Sequence, residues 1–230
     1  MSLALKAARG AIWVIASNVG ARVVGLVSTL VVLRFVSPAD YGAVSVASVI
    51  AISADSFTAF GIFRYLMANP KAPQEIIFHS FVFHVLIGLT SLSIAVAMRH
   101  YWAGLSNAPL AAAYIPGMAL SMTFLRLGFP AEQLLARELR FRPVGMARGL
   151  AEVVYSTVAV VLALLGFGGY ALVYGNIAQW LVFLVILWWA ADVKQLYTPC
   201  KLSWEHTRTI FGFVVSQTHP MWRRAASIAC

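Results

Sequence analysis

The sequence predicts an all-α, polytopic membrane protein with about six transmembrane helices. Three observations predict it. Of the 230 residues, 61% are hydrophobic and only 11% charged, with a mean hydropathy of +0.82. A soluble domain covers its surface with about 25% charged residues. The apolar runs are about 20 residues long and lack the alternation of barrel strands. Finally, Lys and Arg gather between apolar runs, mainly on alternate connections, as the positive-inside rule requires.

The first span is expected over residues 11–33. Its length exceeds that of a cleaved signal peptide and it has no clear cleavage site, so it reads as a retained helix. Ser37, Pro38, Asp40 and Gly42 punctuate its end, with Asp40 a candidate cap for the next helix. The second span follows over 42–63, then a polar loop over 69–75. The third is expected over 76–98, closed by a short loop, Arg99 to Trp102, whose aromatics suit a membrane interface. The fourth covers 110–127, and Pro116 inside it predicts a kink. The longest polar stretch, 130–143, reads as a loop before a fifth span over 146–165. The tight turn Gly166-Phe167-Gly168-Gly169 leads to a sixth span over 170–190, with Trp188 and Trp189 at its interfacial end.

Residues 1–192 are thus expected to form a six-helix transmembrane lobe. Residues 193–230 read as a cytoplasmic connector and the incomplete start of a further helix, interrupted by Pro220, Arg223 and Arg224. With the N-terminus inside, the cytoplasmic segments carry Lys6, Arg9, Arg64, Lys71, Arg126, Arg137, Arg140, Arg142, Arg148, Lys194, Lys201 and Arg208. The outer loops carry Arg34 and Arg99. That asymmetry places both ends of the six-span unit in the cytoplasm. The net charge of +9 therefore reads as a topology signal, not as a nucleic-acid footprint. Cys200 falls on the reducing side, so no disulfide with Cys230 is expected. The segment from Arg137 to Arg148 reads as a topology signal that could also meet anionic head groups.

No Walker A motif, glycine-rich nucleotide loop, zinc spacing or HExxH is present, so no cofactor, metal or catalytic site is expected. Polar groups inside spans remain, and each is expensive there. Arg22 lies near the middle of the first span, and Asp55 lies at similar depth in the second. Two readings stand: Arg22 faces a water-filled cavity and binds an anion with Asp55 tuning it, or the two form a structural ion pair. Asn18, one turn before Arg22, extends that stripe or serves as interhelical glue. Asn176 and Gln179 form a second polar patch in the sixth span, with the same two readings, cavity wall or interhelical glue. Glu152 is expected to neutralise Arg148, one turn away. His79 and His84 read as satisfied buried histidines, with a proton relay as the alternative.

Three segments carry a family resemblance. Arg34-Phe35-Val36-Ser37-Pro38-Ala39-Asp40-Tyr41-Gly42 resembles the R-x-L-x-P-x-D-[FY]-G turn after the first helix of polysaccharide biosynthesis proteins. Arg137-Glu138-Leu139-Arg140-Phe141-Arg142 looks like the segment before their fifth helix. Leu164-Leu165-Gly166-Phe167-Gly168-Gly169-Tyr170-Ala171-Leu172-Val173-Tyr174-Gly175 is similar to their LG-x-G-x-[WY]-A-L-V-x-[GA] hairpin. These are flippases of the multidrug/oligosaccharidyl-lipid/polysaccharide exporter superfamily, and the resemblance covers about residues 1–215 of this chain.

The resemblance implies a flippase of the bacterial cytoplasmic membrane. Its substrate would be an undecaprenyl-pyrophosphate-linked oligosaccharide, moved by alternating access between two helical lobes around a cationic cavity. Arg22 is then the best cavity cation in this lobe. Such proteins have twelve or more helices, so the chain is expected to be a truncated or half-length form that needs a second lobe or a homodimer. A membrane-embedded enzyme of envelope glycan synthesis fits less well, because the acids are scattered and the loops short. A non-transporting scaffold subunit is the other alternative.

Overall fold

The computed structural model describes residues 19–56 and 74–191. Among them the chain forms helices and no strand. The helices are α1 (Val19–Val32), α2 (Pro38–Ser56), α3 (Gln74–Ala97), α4 (Arg99–Leu105), α5 (Ala111–Arg137), α6 (Phe141–Leu164) and α7 (Gly169–Ala190). Three stretches are long and apolar enough to cross a membrane on length and composition: Ile77–Ala97, Phe141–Leu164 and Gly169–Ala190. Asn18, both cysteines and the segment 193–230 lie outside the described residues.

Local chemistry sets the helix ends. Ser37 is the cap of α2: the Asp40 amide donates to its hydroxyl at 3.1 Å, and that hydroxyl donates to Asp40 Oδ2 at 2.8 Å. Asp40 was expected as the cap itself; instead, from the third helical position, its carboxylate accepts from the Ser37 hydroxyl, with Pro38 at the first helical position. At the end of α6 the Phe167 amide reaches the Leu162 carbonyl and the Gly166 amide reaches Ala163, both at 3.1 Å. That six-to-one closure needs a left-handed residue, and Gly166 supplies it with φ +82°.

Two loops expected from the sequence are helical. The residues from Arg99 to Trp102 begin the short helix α4. More consequentially, α5 runs through Pro130 to Arg137, and only Glu138, Leu139 and Arg140 separate it from α6. The reason is periodicity beneath the polar composition. Ala131 and Leu135, one turn apart, are fully buried with Ala147 of α6 and Phe183 and Leu187 of α7. Polar neighbours such as Glu132 and Arg137 occupy the other faces.

The interior is built from small residues. Ala43, Ala47 and Ala51 form a buried stripe on α2, and Ala147, Ala151, Ala159 and Ala163 line α6. A methyl group added at Gly175 of α7 would meet Tyr155 at 3.0 Å and Ala159 at 3.2 Å, so the α6–α7 backbones approach closely there. Such contacts drive helix association in lipid, where burial of apolar surface gives no advantage. α5 is the hub, packing on α2, α3, α4, α6 and α7. Large apolar side chains point outward, including Leu26 and Leu30 of α1, Leu86 of α3, and Val185 and Trp189 of α7. This inside-out arrangement suits a lipid surround.

Candidate functional site

Two clusters of charge lie among these helices, and the sequence reading had joined members of both. The first is sealed. Arg126 of α5 is the largest fully buried side chain among the described residues. Its Nε donates to Asp55 Oδ1 at 2.6 Å, one terminal nitrogen to the Asp55 carbonyl at 2.8 Å, and the other to the His84 carbonyl at 2.5 Å. One guanidinium therefore ties α5 to the end of α2 and the middle of α3. Gly88, one turn after His84, makes the passage: a methyl group there would overlap the guanidinium. Ser91 strengthens the same seam by donating to the Ala54 carbonyl at 2.7 Å.

This corrects the expected Arg22–Asp55 pair. Asp55 is taken by Arg126, because α2 packs on α5 and α3. Arg126, read from the sequence as one of the cytoplasmic-side charges, is buried inside the bundle. The two histidines expected to be buried are so. His79 Nδ1 is 2.6 Å from its own helix's Glu75 carbonyl, and His84 stacks on Phe129 with centroids 5.8 Å apart.

The second cluster is open. Arg22 of α1, Arg148, Ala151 and Glu152 of α6, and Gln179, Trp180 and Phe183 of α7 line a cavity of about 420 Å³. Arg22 is exposed, while Glu152, Gln179 and Trp180 are half-buried. Helical spacing accounts for the lining: Arg148 and Glu152 are one turn apart on α6, as are Gln179 and Phe183 on α7. Glu152 was expected to neutralise Arg148; instead Arg148 pairs with Glu132 of α5 at 2.6 Å, and Glu152 accepts a 2.8 Å bond from Gln179. The extension of α5 past Pro130 explains the exchange, since it brings Glu132 alongside α6. The Arg148 guanidinium also lies 5.5 Å from the centroid of the Phe183 ring.

Of the residues singled out from sequence, Arg22 and Gln179 thus meet at one cavity. Asn176 is absent from its lining and donates to its own helix's Leu172 carbonyl at 3.0 Å. Arg148, Glu152, Trp180 and Phe183 complete the cavity and were not chosen as binding residues. Arg148 and Glu152 were visible as paired charges, but the aromatics carried no signal distinguishing them from lipid-facing ones.

The protein-family comparison matches a family described as polysaccharide biosynthesis protein over residues 31–221. The chain belongs to that polysaccharide biosynthesis protein family. The succinoglycan biosynthesis transport protein ExoT of Rhizobium meliloti (strain 1021) is 28% identical to it over 160 residues, covering 70% of this chain and 32% of the relative. The chain therefore spans about a third of that curated relative's length. No solved structure matches it.

Two of the segments that resembled this family touch in the fold. Tyr114 of α5 donates to Asp40 Oδ1 at 2.9 Å, and its ring meets Tyr170 edge-on with centroids 5.0 Å apart. A methyl group at Gly169 would lie 2.6 Å from the Tyr114 hydroxyl. In this polysaccharide biosynthesis protein, the α1–α2 turn and the α6–α7 turn are thus fastened together through α5, at the end of the bundle opposite the α5–α6 turn.

Proposed function

We propose that this chain is one lobe of a flippase that carries a lipid-linked oligosaccharide across the cytoplasmic membrane. The lobe faces the cytoplasm with its N-terminus and works against a second lobe by alternating access. In this reading residues 1–192 are the lobe, and 193–230 lead toward a further helix. The process is transport, with no bond made or broken. Its substrate is a glycan on an undecaprenyl pyrophosphate carrier.

One observation carries the reading: an exposed arginine and a half-neutralised arginine, Arg22 and Arg148, line a cavity among apolar helices. A guanidinium in the middle of a span costs about 2.5–3.5 kcal/mol. A water-filled cavity offsets that cost, and a planar fork of donors suits the oxygens of a pyrophosphate. Family membership supports the polysaccharide pathway, and the relative's name supports transport as its step.

The test is outward movement of lipid-linked glycan in membrane vesicles, comparing the native protein with Arg22→Ala and Arg22→Lys variants that insert normally. Arg22→Ala is expected to reduce transport at least about tenfold, the equivalent of one charge-assisted hydrogen bond. Arg22→Lys keeps the charge without the fork and falls between. Wild-type transport in both variants would sink the cavity as an anion site. The native product's mass in its own membranes tells where the second lobe resides. A band near 25.0 kDa means a separate partner, and a much larger one means a continuous chain.

A further inference from the structure

The cavity contains a carboxylate and an indole that an anion site does not need. Glu152 Oε2 accepts from Gln179, and a methyl group at Gly25 of α1 would stand 2.5 Å from its other oxygen. Glu152 therefore sits where α1, α6 and α7 meet, facing the same space as Arg22. Beside it, the Trp180 indole Nε1 is buried and has no hydrogen-bond partner among the described residues. The Trp180 ring meets Phe183 edge-on, with centroids 5.4 Å apart at 88°.

A pyrophosphate offers only acceptors and negative charge, so Glu152 repels it. Hydroxyl groups differ, because each both donates and accepts. A carboxylate has about four lone-pair sites, of which Gln179 fills one, and the amide keeps a second N–H and its carbonyl. Trp180 brings an orphan donor, which a buried indole normally satisfies, and an aromatic wall. Acid, amide and indole side by side fit the hydroxyl-rich, apolar-faced surface of a sugar ring.

We propose that Glu152, Gln179 and Trp180 form a glycan subsite beside the arginine site, and that the Glu152 charge makes it prefer a neutral sugar to an acidic one. This rests on the flippase reading above. The arginines hold the phosphate end of the substrate, and the acid–amide–indole wall reads the first sugar attached to it. An acidic sugar places its carboxylate against Glu152 and is rejected by like charge.

The experiment is equilibrium binding to the full-length native protein in lipid nanodiscs, using three probes. They are bare polyprenyl pyrophosphate, the same carrier bearing a neutral hexose, and the carrier bearing a hexuronic acid. The wild type is expected to favour the hexose carrier over the hexuronate carrier by about tenfold. Glu152→Gln, which preserves shape and the bond to Gln179, abolishes that preference. Trp180→Phe keeps an aromatic face but removes the N–H, and lowers the hexose-to-bare affinity ratio by about three- to tenfold. Retention of the full neutral preference by Glu152→Gln, or a wild type that binds hexose and hexuronate carriers alike, overturns the subsite. If the wild type binds the bare carrier through Arg22 but ignores the sugar, the subsite falls and the flippase reading stands. If it binds none of the three, both fall. Should Glu152→Gln fail to fold, the ratio for Trp180→Phe decides: unchanged, it overturns the subsite.

Discussion

Arg126 and Arg22 are the same side chain in opposite circumstances. Arg126 has a side-chain exposure of 1% and delivers its donors to a carboxylate and two backbone carbonyls on neighbouring helices. Arg22 is exposed and lines a cavity. A guanidinium that spends its donors on the protein holds helices together, while one that faces open space is available to a ligand. Position along an apolar span does not distinguish the two cases; the neighbouring helices do.

The comparison breaks first at Arg126. Arg126→Ala removes the guanidinium that Asp55 and two carbonyls share, and breaking a buried pair costs about 3–5 kcal/mol. The variant is expected to lose most of its monodisperse fraction on size exclusion after mild heating. The double replacement Arg126→Leu with Asp55→Leu removes both charges and recovers much of that loss. If Arg126→Ala is as stable as the wild type, the sealed cluster is not a structural tie.

Gly88 tests the same cluster from the other side. Gly88→Ala places a methyl group on the guanidinium, and such overpacking costs about 1–3 kcal/mol. Gly149→Ala, at a helical position with open space around it, is the control and gains about 0.5–1 kcal/mol from helix propensity. Thermal unfolding in detergent should move in opposite directions for the two variants. No loss of stability in Gly88→Ala would mean that Arg126 can leave its slot cheaply.

At Arg22 the expected pattern reverses. Arg22→Ala changes stability by no more than about 0.5 kcal/mol, as for exposed positions generally. Its affinity for bare polyprenyl pyrophosphate falls about tenfold. Binding isotherms and melting curves on the same preparation separate the two effects. A large stability loss with unchanged affinity would assign Arg22 to the structural class alongside Arg126.

Much of this was legible in the sequence, and the misreadings have definite causes. Helices α6 and α7 are uniform enough in hydropathy that their observed bounds differ by a few residues from those expected. The end of α5 was misread because Glu132 and Arg137 make 130–143 look like a loop, while Ala131 and Leu135 keep the helical register beneath them. The same misreading hid the Glu132–Arg148 pair. Arg126 was invisible as a tie because a charge at the end of an apolar run is the usual mark of a cytoplasmic boundary. Gly88, Asp55 and His84 on other helices were the signs, and their meaning depends on packing. Arg22 was legible because it lies well inside the apolar run 11–33 of the sequence.

Arg148 lies between the two extremes and gives the finest test. Its side chain is 41% exposed, and its partner Glu132 only 12%. The pair is therefore part tie and part cavity wall. Glu132→Gln removes the opposing charge but keeps an acceptor for the guanidinium. As the pair opens to solvent on the arginine side, screening limits the stability loss to about 0.2–1 kcal/mol. The same change removes the charge that neutralises Arg148, so the cavity becomes more positive. Binding of bare polyprenyl pyrophosphate is expected to tighten by about two- to fivefold, and more at low salt than at high salt. A matching Glu138→Gln change should leave binding unaltered, because Glu138 pairs with Arg140 in the α5–α6 turn, away from the cavity lining. If Glu132→Gln weakens binding, the Arg148 guanidinium serves the cavity by its fixed position and not by its charge. Arg148 would then belong with Arg126 as a structural tie, leaving Arg22 as the cation that meets the ligand.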